Sequence, residues 1–237
     1  ERAGAHPAGL CQKGEIRMDI QQIFAARQQA EQNRRLECYR RLNRVAKKGQ
    51  IVFAGSSLME QFPIDEMQHS LDLPWCIYNR GIGGYVSSQM LQGLEAMVLE
   101  LEPAKLFINI GTNDIGLDIQ DQLWPNYKEI LRRVKDRLPG CRVYLMAYYP
   151  CNNQDDFGLP DIVKAGMFRT RTPESLLEAN RKVEQLAREM GCRYIDVNRG
   201  LADGQGLLRA EYAVDGVHFY PDGYFHVLEN LGPWLAG

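Results

Sequence analysis

Residues 52–62 read VFAGSSLMEQF, an apolar run that ends on Gly55 and is followed by two adjacent serines. The apolar run predicts a buried strand, and the glycine and serines after it predict a tight turn into a helix. A serine hydroxyl at this place can cap the helix that begins near Leu58, or it can act as a nucleophile. The rest of the chain has to decide between a cap and a catalytic group.

Short apolar runs recur after this stretch and alternate with helical patterns. Strands are predicted at 51–54, 75–78, 105–110, 142–147 and 193–197, and helices near 86–101, 120–138, 174–190 and 221–231. This alternation predicts an α/β fold in which helices cover both faces of a parallel sheet. Residues 150–173 form the one long irregular connection, and we expect them to wall a pocket together with the loop around Tyr85.

The part of the chain before the first strand predicts an N-terminal helical segment at 18–49, ahead of a main domain at 50–237. Apolar residues recur at helical spacing from Asp19 to Lys48, in one helix or two broken ones, and Gly49 ends the pattern. Seven basic side chains lie between residues 34 and 48. They favour a solvated helix face, and a patch that binds nucleic acid or membrane is the alternative.

The composition is that of an ordinary globular chain, with 45% hydrophobic residues, 24% charged residues and a net charge of −2. This charge balance predicts no nucleic-acid partner, and no apolar run approaches the ~20 residues that span a bilayer. Six cysteines are scattered without a CxxC pair, so we expect no metal site and favour a reducing cytoplasm. A small-molecule substrate is expected, without a cofactor, and a homo-oligomer is compatible with the sequence.

Residues of chemical interest follow the predicted strands, at the edge where open α/β sheets bind ligands. After the first strand come the serines, after the second NRGIGG at 79–84, and after the third GTND at 111–114. DGVH at 215–218 follows the fifth strand. Within it, Asp215 and His218 are spaced to lie on one side of a turn, as the acid and base that activate a serine must.

These four blocks, in this order, resemble those of the SGNH or GDSL-type hydrolases. The resemblance implies a three-layer, flavodoxin-like sandwich with five parallel strands in the order 2-1-3-4-5. It also implies that Ser57 is the nucleophile, His218 the general base and Asp215 the acid that orients it. The N–H groups of Ser57 and Gly84 and the side-chain amide of Asn113 would then form the oxyanion hole.

The resemblance covers residues 50–231 and departs from the family pattern at one position. Ser56 stands where the family usually has Asp, between the glycine and the nucleophile, so Ser57 is preferred as nucleophile by its register with the motif. His226 lies within the last helical pattern and is predicted to be an ordinary helical histidine.

The implied activity is that of a metal-independent serine esterase that forms an acyl-enzyme. Polar and aromatic residues near the predicted pocket favour short-acyl esters, including acetyl esters of carbohydrates; they are Tyr148, Tyr149, Asn152, Asn153, Phe157 and Arg169. The alternatives are an acyltransferase with the same triad, a lysophospholipase or thioesterase, and a non-catalytic pocket protein. The intact set of five functional residues argues against the last.

Residues 1–17 differ in character from the rest and are predicted to be a leader or added sequence ahead of a native start at Met18. Lys13-Gly14-Glu15 is compatible with a purine-rich ribosome-binding sequence at a suitable distance before that methionine. A genuine N-terminal arm that packs on the domain or on a partner subunit is the alternative.

Overall fold

The computed structural model describes residues 20–237, and its centre is a five-stranded parallel sheet. The strands are β1 (Ile51–Gly55), β2 (Ile77–Gly81), β3 (Lys105–Asn109), β4 (Arg142–Met146) and β5 (Arg193–Ile195). Their order in the sheet is β2-β1-β3-β4-β5, and every neighbouring pair is parallel. The predicted α/β class and the strand order 2-1-3-4-5 are therefore confirmed.

Helices connect the strands and flank the sheet. In chain order they are α1 (Ile20–Leu42), α2 (Ser57–Glu60), α3 (Ile64–Ser70), α4 (Ser87–Met97), α5 (Thr112–Gly116), α6 (Gln120–Arg137), α7 (Asp161–Phe168), α8 (Pro173–Glu189) and α9 (Pro221–Ala236). The β1–β2 connection crosses the sheet in the opposite direction from the later ones, so right-handed crossovers place α3 and α4 on opposite faces. Phe62, just before α3, stacks on Tyr224 of α9, so α9 returns to the α3 face.

The middle of the sheet is buried on both sides. Every residue of β1 and β3 is buried, which is why these strands appear as continuous apolar runs rather than alternating patterns. On one face, Phe107 packs against Phe53 and Tyr144, with ring centroids 5.3 and 4.5 Å apart. This core holds the carboxyl ends of the strands side by side, and the candidate functional residues follow those ends.

The second strand lies two to three residues later than the predicted 75–78. The end of this strand was misplaced because it contains the polar residues Asn79 and Arg80. In the structure, the Asn79 amide donates to backbone carbonyls at the end of α2, and the Arg80 guanidinium lies 4.8 Å from the ring centroid of Tyr39. Tertiary partners therefore make two polar residues acceptable in a strand. The other predicted strands are correct to within two residues at each end.

Short helices were missed by the sequence analysis. The connection 150–173, predicted to be irregular, contains α7; a helix was expected near Leu58, where α2 lies, but α3 and α5 were not predicted. These helices have eight residues or fewer, too few turns for a helical period to show. The last helix also continues beyond the predicted 231 to Ala236, past Pro233.

The N-terminal segment forms the single helix α1, which packs on α4. Most of its basic cluster is paired with carboxylates: Arg34 with Glu31, Arg35 with Glu60, Arg40 and Arg41 with Glu37, and Lys48 with Glu102. This pairing favours the solvated-face interpretation over a surface that binds nucleic acid.

Several predictions about the N-terminus lie outside the described residues, namely the leader at 1–17, the start at Met18 and the state of Cys11. Within residues 20–237 the cysteines are free thiols. In the same range, no helix combines the length and the apolar character that crossing a bilayer requires.

Candidate active site

The turn after β1 presents Ser57 as the first residue of α2. Only glycine fits at Gly55, because a Cβ there would lie 2.1 Å from the carbonyl oxygen of Asn109 on β3. Ser56 is 1% exposed, and its hydroxyl has no partner among the described residues and does not cap α2. Ser57 is partly exposed, and as the first helical residue it has an N–H without an intrahelical acceptor. Of the two serines, Ser57 is the accessible one.

Ser57 lies at one end of a continuous chain of hydrogen bonds. Its Oγ is 2.9 Å from Nε2 of His218, and Nδ1 of the same ring is 2.7 Å from Oδ2 of Asp215. An imidazole that donates from Nδ1 to a carboxylate keeps Nε2 as an acceptor for the serine proton. The three side chains can therefore convert a serine hydroxyl into a nucleophile.

The DGVH turn sets the geometry of the acid and base. Oδ1 of Asp215 accepts the backbone N–H groups of Val217 and His218, at 2.9 and 2.8 Å, which leaves Oδ2 for the ring. Gly216 has φ +85°, and a Cβ there would lie 2.2 Å from the carbonyl oxygen of Asn152, so the turn requires glycine.

The charge state of Asp215 follows from two opposing effects. Burial by itself would raise the pKa of this carboxyl, but the hydrogen bonds from His218 and Val217 outweigh burial and hold the pKa below its ordinary value. The carboxylate therefore remains ionised near neutral pH and can stabilise an imidazolium.

The loop after β2 offers a backbone donor at Gly84. Gly84 has φ +73°, a conformation that favours glycine, and a Cβ there would lie 2.1 Å from Nε2 of Gln28. The neighbouring Gly83 N–H is occupied, since it donates to Oε2 of Glu60 at 2.9 Å. The Gly84 N–H donates to no group within residues 20–237. It is therefore the glycine N–H available to a ligand.

Asn113, in α5, has a side-chain amide that is held at both ends. Its Nδ2 donates to the Tyr85 carbonyl at 2.9 Å, and its Oδ1 accepts from Nη2 of Arg171 at 3.2 Å. Because arginine only donates, this contact identifies the amide oxygen and turns the nitrogen toward the loop that carries Gly84. One Nδ2 hydrogen remains for a ligand.

Two supporting residues, Arg171 and Asp114, were missed by the sequence analysis. Arg171 is 9% exposed and also donates to the Thr112 carbonyl from Nε and Nη2, at 3.1 and 3.0 Å. Asp114 is fully buried and accepts the Ser87 N–H at 3.0 Å and the Ser87 hydroxyl at 2.5 Å. Asp114 thereby ties the start of α4 to α5. Asp114 belongs to the GTND block, so the sequence contained a signal that could have identified it. Arg171 belongs to no motif.

The predicted site residues fall into two connected groups. Ser57, His218 and Asp215 form the hydrogen-bonded chain, and Asn113 reaches the residue next to Gly84. The strands before Ser57, before the glycine loop and before Asn113 are neighbours in the sheet, with β1 between β2 and β3. All five residues therefore follow one edge of the sheet or the loop that approaches it.

Three of the residues expected near the pocket have very little exposed surface. Tyr148, Tyr149 and Asn152 are each 1–2% exposed and belong to the core. The Tyr148 hydroxyl donates to the Ile110 carbonyl at 2.8 Å, and the Tyr149 ring lies 5.1 Å from that of Phe219. Tyr148 and Tyr149 nevertheless border a cleft whose lining includes Asn180, Asn198 and Gln205, and neither Ser57 nor His218 belongs to that cleft. The preference for carbohydrate esters therefore stays a prediction.

Two further expectations concern residues outside the triad. His226 of α9 lies 2.9 Å from the Tyr212 hydroxyl, as an ordinary helical histidine can. In the described part of the chain, no three His, Cys, Asp or Glu side chains are grouped so as to hold a metal ion. The absence of a metal from the reaction stays a prediction.

A family model decides the relationship of the chain to known proteins. The model for the GDSL-like Lipase/Acylhydrolase family matches residues 62–225. The chain belongs to this family. The match includes Gly84, Asn113 and the DGVH turn, and it begins after Ser57, whose assignment rests on the motif and the geometry. Membership of the GDSL-like family supports an ester hydrolase at the general level.

Individual relatives of this GDSL-like protein include a mammalian enzyme and bacterial structures. Platelet-activating factor acetylhydrolase IB subunit alpha1 of Bos taurus is 27% identical over 191 residues, which is 78% of this chain and 74% of that protein. A solved structure from Streptococcus pneumonia, described as a candidate platelet activating factor, has a TM-score of 0.81 at 28% identity, covering 90% of this chain and 97% of that one. An acetylxylan esterase of Geobacillus stearothermophilus shares the fold, with a TM-score of 0.58 at 17% identity and coverage of 81% and 96%.

Proposed function

We propose that this GDSL-like protein is a serine esterase that hydrolyses short-acyl esters, chiefly acetyl esters, through an acyl-enzyme. The observation that carries the proposal is the chain from Ser57 Oγ to His218 Nε2 at 2.9 Å and from His218 Nδ1 to Asp215 Oδ2 at 2.7 Å. Three donors without another role accompany it: the N–H groups of Ser57 and Gly84 and one hydrogen of the Asn113 amide.

The reaction begins when Ser57 Oγ attacks the ester carbonyl carbon while Nε2 of His218 takes the serine proton. The carbonyl oxygen becomes an oxyanion, and the three donors stabilise it more strongly than they stabilise the ground-state carbonyl. His218 then gives the proton to the leaving alcohol, and an acyl-enzyme ester on Ser57 remains. Water, deprotonated by His218, attacks that ester, and the carboxylic acid leaves while Ser57 recovers its proton.

The preference for an acetyl group rests on relatives rather than on the pocket walls. The Bos taurus relative, which is 27% identical, is named an acetylhydrolase. The Geobacillus enzyme is named an acetylxylan esterase, which also acts on an acetyl ester. Because the latter likeness shows only the fold, the mammalian relative is the stronger support.

The test compares the two serines in one assay. Ser57→Ala should lower kcat for 4-nitrophenyl acetate by about 10⁴–10⁶-fold, the loss expected for a triad nucleophile. Ser56→Ala is the matched control, since its hydroxyl has no partner among the described residues, and it should keep activity within about threefold. A fluorophosphonate should label Ser57, and peptide mass spectrometry would locate the labelled residue.

A chain-length series tests the acyl preference separately. The ratio kcat/KM should be highest for the acetate and fall through the butyrate and octanoate of 4-nitrophenol. A maximum at octanoate would contradict the short-acyl proposal while leaving the esterase intact. Labelling of Ser56 instead of Ser57 would show that the nucleophile is wrongly assigned. If the wild type showed no turnover and no labelling, the esterase proposal itself would be refuted.

A further inference from the structure

The helix α1 precedes the family match, yet it holds the loop that carries Gly84 at several points. The Tyr39 hydroxyl donates to the Gly81 carbonyl at 2.5 Å, and Gln32 Nε2 donates to the Gly83 carbonyl at 2.8 Å. Arg35 pairs with Glu60 at 3.0 Å, and that Glu60 carboxylate accepts the Gly83 N–H. Each consecutive part of the loop is therefore fixed by α1 or by a residue that α1 holds.

The contact from Gln32 has a particular consequence for Gly84. The carbonyl of Gly83 and the N–H of Gly84 belong to one peptide unit, and none of the described peptide bonds is cis. In a trans peptide the C=O and the N–H point in opposite directions. Whatever holds the Gly83 carbonyl therefore also sets the direction of the Gly84 N–H. Gln32 holds that carbonyl from the α1 side.

Gln32 is itself rigidly placed. It is 5% exposed, although most of the surrounding α1 surface is exposed. Its Oε1 accepts from Nε2 of Gln89 at 2.9 Å, and Oε1 of Gln89 in turn accepts the Val86 N–H at 3.1 Å. The amide of Gln32 can therefore present only its nitrogen to the Gly83 carbonyl. A buried amide connected in this way to both neighbouring elements is costly to leave unpaired, so its orientation is well defined.

The peptide between Gly83 and Gly84 needs an external contact to fix its orientation. Neither Gly83 nor Gly84 has a Cβ that would oppose rotation of the 83–84 peptide plane, and Gly84 already lies at φ +73°. Rotation by about half a turn would direct the Gly83 carbonyl, an acceptor, to the place where the Gly84 N–H now lies. A carbonyl dipole there would repel an oxyanion rather than stabilise it.

We propose that Gln32 is a positioning residue that locks the 83–84 peptide with the Gly84 N–H directed at the oxyanion. This rests on the proposed function, in which Gly84 is an oxyanion donor. Gln32 does not touch the reacting atoms in this scheme. It acts by keeping the donor in place before the transition state forms, so its loss should lower kcat and leave substrate binding nearly unchanged.

The experiment uses two variants and one matched control. Gln32→Ala removes the donor, and Gln32→Glu keeps the size and the contact with Gln89 but cannot donate when ionised. Both should lower kcat for 4-nitrophenyl acetate by roughly 10–100-fold, which is less than the 10²–10³ expected when an oxyanion donor is removed outright. KM should stay within about threefold. The rate of fluorophosphonate labelling of Ser57 should fall in parallel.

Asn43→Ala is the control for a general loosening of α1. Asn43 follows α1, is 8% exposed, and its amide donates to the Ala96 carbonyl at 2.7 Å, so its loss also removes a buried contact. This variant should lower the melting temperature and keep kcat within about twofold.

The outcomes separate this inference from the esterase itself. A normal kcat in either Gln32 variant would overturn the positioning role. The esterase proposal would be unaffected by that result, because wild-type turnover supports it separately. An equal loss of kcat in Asn43→Ala would also overturn it, because loosening of α1 would then be the cause. If Gln32→Ala does not fold, the isosteric Gln32→Glu decides. Absence of wild-type turnover and labelling would refute the proposed function, and the inference would fall with it.

Discussion

Asp215→Asn separates the structural role of the Asp215 side chain from its chemical role. In the wild type, Oδ1 accepts two backbone N–H groups and Oδ2 accepts the ring N–H of His218. An asparagine has only one side-chain oxygen, so it can accept either from the two backbone N–H groups or from the His218 ring. If the oxygen stays with the backbone, the NH₂ faces Nδ1 of His218, which must then be an unprotonated acceptor. The ring proton moves to Nε2, and Nε2 can no longer accept the proton of Ser57.

The structure predicts how strongly that wrong orientation is preferred. The opposite orientation would break both backbone hydrogen bonds, each worth about 1 kcal/mol net, so it lies about 2 kcal/mol higher and is reached about one time in 30. Even this minor form lacks the negative charge that stabilises an imidazolium. Together these effects should lower kcat/KM by about 10⁴-fold, the scale known for a triad aspartate changed to asparagine.

The assay is hydrolysis of 4-nitrophenyl acetate, accompanied by thermal unfolding of each variant. Asp203→Asn is the matched control, because Oδ1 of Asp203 likewise accepts two backbone N–H groups, from Gln205 at 2.8 Å and Leu207 at 3.0 Å, but no histidine is bound to it. The control should stay within about twofold of wild type. If folded Asp215→Asn kept more than about a tenth of the wild-type kcat/KM, the tautomer argument would be refuted.

Three further predictions test the site from other directions. Asn113→Ala should lower kcat by roughly 10²–10³-fold with little loss of stability, and full activity would exclude its amide as an oxyanion donor. Gly216→Ala should lower the melting temperature by several degrees, because its φ of +85° disfavours a Cβ and that Cβ would lie 2.2 Å from a carbonyl oxygen; an unchanged melting temperature would contradict this. Since the folded pKa of Asp215 is lowered, its stabilisation is present above the ordinary carboxyl pKa of about 4 and is lost as pH falls through the folded value. Between pH 6 and pH 3 the wild-type melting temperature should therefore fall more than that of Asp215→Asn, and parallel curves would refute the linkage.

The fold class was predictable because the signals that determine it are local. A continuous apolar run indicates a strand buried on both faces, and β1 and β3 are such strands. The end of β2 was misplaced because its polar residues Asn79 and Arg80 are accommodated by contacts with α2 and with the ring of Tyr39. No pattern within the strand itself carries that information.

Three residues expected near the pocket also show that sequence does not give the direction of a side chain. Tyr148, Tyr149 and Asn152 combine polar groups with a place after a strand, which is typical of a binding site. Their side chains are nevertheless almost fully buried: the Tyr148 hydroxyl and the Asn152 amide donate to backbone carbonyls, and the Tyr149 ring packs on that of Phe219. Composition identifies a residue's chemistry, but the direction of its side chain depends on packing.

By itself, the sequence determined the α/β class and the blocks that hold Ser57, Gly84, Asn113 and the DGVH turn, because each block is a short segment and the order of the four blocks can be read along the chain. Only the tertiary structure decided which groups support them. Gln32 meets Gly83 across 51 positions of the chain, and Arg171 meets Asn113 across 58. Such contacts arise from the path of the backbone around the sheet, which brings α1 and the end of a long connection to the same edge. A hydrogen bond depends on distance and direction in space, and a linear sequence specifies neither for residues so far apart.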